Sequence, residues 1–255
     1  TRSSLTVNGT VDGNINYNTS GTGLIGETGT VDGNLTANRT SNVIVNGTVT
    51  GNLRAGQDSS ITLNGTVNTK FDVDSSAMQY IGEDGTVNGL MEIGPNDQVT
   101  VAGNVNGLFK VFGTAQVIIE STANILSDSN GDTNKTSITG NCSIQWNVGV
   151  DGSIGTLRSN ANESSLDEYD GTWIYQVTDN SMVVDLSACE VYGTSINLRP
   201  VSGLQFADRE AGFVSNLEFT YNGEDISDDF TYVGAGTFTG TLANPLPDDD
   251  NDGVA

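Results

Sequence analysis

The chain has 255 residues, with 32 acidic against nine basic side chains, no histidine and a formal charge of −23. That surplus repels phosphate backbones and anionic lipid, which sets nucleic acid and membrane surfaces aside as partners, and no run of about 18 apolar residues is present to span a bilayer. Without histidine, Ser/His/Asp and Cys/His catalysis and His-bearing zinc sites are excluded, and two cysteines cannot complete a four-thiolate site.

Helix formers never accumulate, whereas Gly, Asn, Thr, Ser and Asp are abundant, so an all-β chain is expected. The start, Thr1-Arg2-Ser3-Ser4-Leu5, enters a repeat at once. An exported chain is therefore expected here in its processed form. The repeat is Gly9-Thr10-Val11, Gly29-Thr30-Val31, Gly47-Thr48-Val49, Gly65-Thr66-Val67, Gly85-Thr86-Val87 and Gly103-Asn104-Val105, with valines 20, 18, 18, 20 and 18 residues apart. A period near 18 is too short for a helical pair and fits one coil of a β-solenoid.

Four residues after each valine stand Ile15, Leu35, Leu53, Phe71, Met91 and Phe109, and six after it Tyr17, Ala37, Ala55, Val73, Ile93 and Val111. Six before it stand Leu5, Ile25, Val43, Ile61, Ile81 and Val99. Even offsets mark one face of a strand, so three short faces are expected to fill one interior. The two extra residues of the longer coils are placed by this alignment in Asn18 to Leu24 and Asp74 to Tyr80. Glycines recur at two corners, where positive φ or close backbone approach is expected. A seventh coil runs through Val117, Ile119 and Ala123. An eighth runs through Ile138, Cys142, Trp146 and Val148, with Trp146 as a cap, giving a rod of about 40 Å at about 4.8 Å per coil.

The resulting architecture is a right-handed parallel β-solenoid of about 18 residues per coil over residues 1–150. A Gly, Ser and Asp-rich linker follows over 151–172, then a small antiparallel, β-sandwich-like domain over 173–243 and an acidic tail over 244–255. The strands expected in that domain are Trp173 to Val177, Met182 to Leu186, Ser195 to Leu198, Phe213 to Tyr221, Phe230 to Val233 and Phe238 to Leu242, with a hairpin turn at Tyr221-Asn222-Gly223-Glu224. Cys142 and Cys189 permit one disulfide clamping domain to rod, or stand as two buried thiols.

The run Val7-Asn8-Gly9-Thr10-Val11-Asp12-Gly13-Asn14-Ile15 and its echo from Ile25 to Leu35 resemble the bactofilins. The resemblance covers about residues 5–111 and implies a short right-handed β-solenoid that polymerises end to end without nucleotide. Bactofilins are cytoplasmic and more evenly charged, so the acidity, the cysteines and the second β region set this chain apart and point to an extracellular or cell-surface relative.

Candidate sites are few. Asp12 and Asp32 share an outward column near the spacing of a retaining glycosidase pair, but the column continues as Thr50, Asn68, Asn88 and Asn106, which reads as a solvated ladder. The tail Asp248, Asp250 and Asp252 before Gly253 resembles the opening of a thrombospondin type 3 or dockerin loop, in which alternate oxygens converge on calcium. Asp128, Asn130 and Asp132 form a second such spacing. Calcium is the one cofactor the sequence suggests. Nine Asn-x-Ser/Thr triplets, at Asn8, Asn18, Asn34, Asn38, Asn46, Asn64, Asn134, Asn141 and Asn162, are sequons for N-glycosylation. The expected function is an extracellular structural protein that assembles with copies of itself into a filament or surface layer. The alternatives are an adhesin or virion-fibre module binding cell-surface glycans, with the solenoid as stalk, and a polysaccharide-acting enzyme.

Overall fold

A computed structural model describes residues 4–74, 76–126, 136–158, 181–202, 217–234 and 237–244. They form a three-faced parallel β-solenoid with a small antiparallel sheet near its C-terminal end, and no α-helix occurs among them. The first coil is built from Ser4–Val7, Thr10–Asp12 and Ile15–Tyr17, one strand per face. Each later strand pairs in parallel with the strand one coil before it. The first face stacks ten parallel strands, from Ser4–Val7 to Leu217–Tyr221. Ten strands at about 4.8 Å per step make a rod of roughly 43 Å.

Inward columns carry the fold. Val11 lies against Val31, Val31 against Val49, and the stripe runs on through Val67, Val87, Val105 and Ile125 to Leu157. On the third face Ile15, Leu35, Leu53, Phe71, Met91 and Phe109 stack in the same way. From Val31 on the second face and Leu35 on the third these residues are fully buried, so alternation of apolar and polar residues fixes which side of every short strand faces in.

The first face departs from the expected alignment. It has two inward columns, one through Val43, Ile61 and Val99, the other through Val7, Ile25, Val45, Leu63, Ile81 and Val101. Ile25 and Ile81 thus belong one inward position later than the spacing suggests. The extra residues of the long coils lie at the corner between the first and second faces, in Gly26 to Gly29 and Gly82 to Gly85, rather than at the corner before the first face. There the Gly29 amide donates to the Gly26 carbonyl at 2.8 Å and the Gly85 amide to that of Gly82 at 2.8 Å, closing tight turns that absorb the insertion.

Close approach, not dihedral freedom, explains the recurring glycine of the Gly-Thr-Val triplet. A Cβ on Gly47 would fall against the carbonyl oxygens of Gly29 and Gly26, in the coil below. The Gly29 carbonyl belongs to the ladder, accepting from the Thr48 amide at 2.9 Å, and the Gly26 carbonyl to the turn that the Gly29 amide closes.

The parallel ladders also run past residue 150. Thr156–Arg158 and Val201–Ser202 continue the second face, while Ser181–Asp185 and Leu217–Tyr221 continue the first. Only Ser195–Leu198, Phe230–Gly234 and Thr237–Thr241 form the separate antiparallel sheet. The expected strand Trp173 to Val177 lies outside the described residues. Trp146, expected as a cap, is buried in mid-stack between Ile119 and Val184.

Candidate assembly surfaces

The first and last described coils differ. Among the described residues, the three strands of the first coil have a neighbour on one side only. Leu5 occupies an inward position there and is 43% exposed. Tyr17 belongs to the same coil: its ring fills the space left beside Gly23, and its hydroxyl is buried without a partner.

At the far end the first face is closed. The chain turns at Asn222 and Gly223, both at positive φ, and Glu224–Asp225 returns antiparallel along the outer edge of Leu217–Tyr221. Phe219, in the last coil, has its amide bonded to Ser227 Oγ at 2.9 Å and its carbonyl to the Ile226 amide at 2.8 Å. The Phe219 ring stacks on Phe230 and is tilted against Phe238, with centroids 4.5 and 5.0 Å apart, which joins the antiparallel sheet to the end of the core. Burial of these aromatic rings is the main apolar contribution at this end.

The lateral surfaces divide by chemistry. On the second face Asp12 and Asp32 lie in one outward column. Thr50 donates to Asp32 at 2.8 Å, Asn88 to Asn68 at 3.1 Å and Asn106 to Asn88 at 2.9 Å, so the ladder expected from the sequence is a chain of side-chain hydrogen bonds. The third face carries ion pairs. Arg54 contacts Asp72 and Asp74 at 3.8 and 2.7 Å, Lys70 bridges Asp72 and Glu92 at 3.1 and 3.3 Å, and Lys110 reaches Glu92 at 3.6 Å. Burial disfavours the Lys70 charge, but the two carboxylates outweigh it and hold its pKa above the usual lysine value. A shallow polar groove of about 530 Å³ beside this row is lined by Asn38, Arg39, Arg54, Gln57 and Asp74, among others. Its carboxylate is already tied to Arg54.

The remaining sequence-derived sites are placed as follows. Cys142 and Cys189 are both buried and no disulfide joins them, so of the two expected arrangements the structure has the pair of thiols. They occupy different corners: Cys142 precedes the first face, in the small-residue column of Ser41, Ser59, Ala77, Asp97 and Ala115, whereas Cys189 follows that face, in the turn closed by its amide on Leu186. Burial raises the Cys142 pKa from the usual 9.0 to about 11. Of the sequons, Asn8, Asn18, Asn34 and Asn141 are exposed, and Asn38, Asn46 and Asn64 are half-buried. Asn64 donates to Asn46 at 3.0 Å. Asn134, Asn162 and both calcium-loop candidates, Asp128, Asn130, Asp132 and Asp248, Asp250, Asp252, lie outside the described residues. Among those described, no three His, Cys, Asp or Glu side chains gather as a metal site, and no helix is long and apolar enough to cross a membrane.

Sequence reasoning missed Gln79, which takes an inward, fully buried position of the first face. Its amide donates to the carbonyls of Ser59 and Ala77, and its oxygen accepts from the Ile61 amide, all at 2.7 Å. It thereby completes the backbone ladder beside the Asp74 to Ala77 corner, a role no periodicity signals.

Coils of this length, stacked in register around one apolar interior, define the class of parallel β-solenoids. Within it, residues 1–79 match the model of the family described as "Bactofilin: Polymer-forming cytoskeletal". The match spans the first four coils and enters the fifth. No curated protein and no solved structure matches the chain.

Proposed function

We propose that this chain is a structural protein that assembles with copies of itself, outside the cell or on its surface. The observation that carries the reading is the match of residues 1–79 to a polymer-forming family, over coils that stack in parallel register around one apolar interior.

The extracellular part of the reading is supported by the acid surplus and by the exposed sequons. Protease accessibility on intact cells, with a mass shift on deglycosylation, tests that part. Self-assembly is tested by light scattering of the full chain across concentration and salt; mass rising to multiples of one chain is expected, and a single-chain mass throughout rules the reading out.

A further inference from the structure

On a chain of formal charge −23, a place where cations collect stands out. One lies at the corner between the third and first faces, where residues 38–41 join Leu35–Ala37 to Asn42–Val45 and residues 56–59 join Asn52–Ala55 to Ser60–Leu63. The groove of about 530 Å³ along this corner takes its lining from successive coils: Asn18 from the first, Asn38 and Arg39 from the second, Arg54 and Gln57 from the third and Asp74 from the fourth. Two guanidiniums thus line it against one carboxylate, and that carboxylate is held by Arg54 at 2.7 Å. Arg39 is exposed and in no ion pair among the described residues, whereas Arg54, Lys70 and Lys110 are all paired. The next groove along the corner, of about 200 Å³, has the opposite character, with Asp72, Asp74, Glu92 and Asp97 in its lining and no cation. An anion that reaches this corner therefore finds its favourable site at Arg39.

We propose that the Arg39 groove binds an acidic saccharide, with the carboxylate of a uronic acid unit on Arg39. A guanidinium meets a carboxylate through two parallel N–H donors, which makes this the strong and orienting contact. The rest of the lining suits hydroxyl groups. Asn18, Asn38 and Gln57 each offer an amide donor and an acceptor, the pair that a sugar hydroxyl uses. Sites for apolar ligands are lined by hydrophobic and aromatic side chains, and this lining holds neither. The volume falls within the range of small-ligand sites. The inference does not rest on self-assembly, because the groove is built within one chain.

Isothermal titration calorimetry of the full chain tests the site, with digalacturonate as the probe. Asn18 and Asn38 begin sequons, so the protein is produced without glycosylation. Digalacturonate is expected to bind, and its dimethyl ester, which keeps the shape and loses the charge, to bind about tenfold more weakly. Arg39→Gln is expected to bring the affinity for the acid down to that for the ester. Arg199→Gln, the same change at an exposed arginine beside Ser195–Leu198, is expected to leave it unchanged. Gln57→Ala is a second variant that keeps both guanidiniums, and it is expected to weaken acid and ester alike. Absence of binding, equal affinity for acid and ester, or equal losses in Arg39→Gln and Arg199→Gln would overturn the site. Inorganic sulfate binding as tightly as digalacturonate would show a bare anion site and overturn the saccharide. Each of these failures leaves the self-assembly reading standing, since light scattering alone decides that.

Discussion

Phe219 and Phe230 stack with ring planes 7° from parallel and centroids 4.5 Å apart, coupling the last coil of the solenoid to the antiparallel sheet. Phe230→Ala is therefore expected to cost about 3–4 kcal/mol and to loosen the far end selectively. Hydrogen exchange is the check: amides of Leu217–Tyr221 should exchange faster while those of Asn42–Val45 keep their protection. Unchanged exchange at Phe219 would show that the sheet does not hold the end.

The outward column of the second face separates repulsion from hydrogen bonding. Asn88 both donates to Asn68 and accepts from Asn106, so Asn88→Ala is expected to lower stability by about 1–2 kcal/mol. Asp12 and Asp32 place like charges at neighbouring positions. Asp12→Asn is expected to raise the thermal midpoint, by an amount that shrinks as salt screens the pair.

Two glycines of one column should respond in opposite ways. Gly47→Ala drives a Cβ into the carbonyls of the coil below, with an expected cost of roughly 2 kcal/mol or more. Gly9→Ala meets nothing within 4 Å, so it is expected to be neutral or mildly stabilising. Denaturant midpoints of the two variants distinguish close stacking from a general intolerance of side chains at this corner.

Alkaline pH should weaken the fold. The Cys142 thiol titrates near 11 instead of 9.0 because burial disfavours the thiolate, and Lys70 holds its proton above the usual range because Asp72 and Glu92 outweigh the burial that works against it. Both pKa values are raised on folding, so both contributions are complete below about pH 9 and are lost as pH rises through the folded values. The Cys142 part amounts to on the order of 2 kcal/mol. Cys142→Ala is expected to flatten the decline of stability between pH 9 and 11 without shifting it near neutrality.

The solenoid was legible where coils repeat without interruption. The valine stripe and the third-face stripe follow the expected columns because the corner between the second and third faces keeps the same length in every one of these coils, from Val11 and Ile15 to Val105 and Phe109. The first face was misaligned in two coils because Ile25 and Val43 are equally apolar, and alternation alone cannot say which of two inward positions an isoleucine fills. Past Ile125 the second-face stripe resumes only at Leu157 and Val201. Such long intervals hide a period, so Met182 to Leu186 and Phe213 to Tyr221 read as strands of a separate domain. The antiparallel pairing of Ser195–Leu198 and Phe230–Gly234 with Thr237–Thr241 was foreseeable from their turns and aromatic residues.

Light scattering of the purified chain across concentration and salt measures the central claim most directly, because it weighs the assembled species in solution. Mass rising with concentration to multiples of the 26.6 kDa chain is the expected result. A single-chain mass at every concentration and salt tried would contradict a self-joining scaffold.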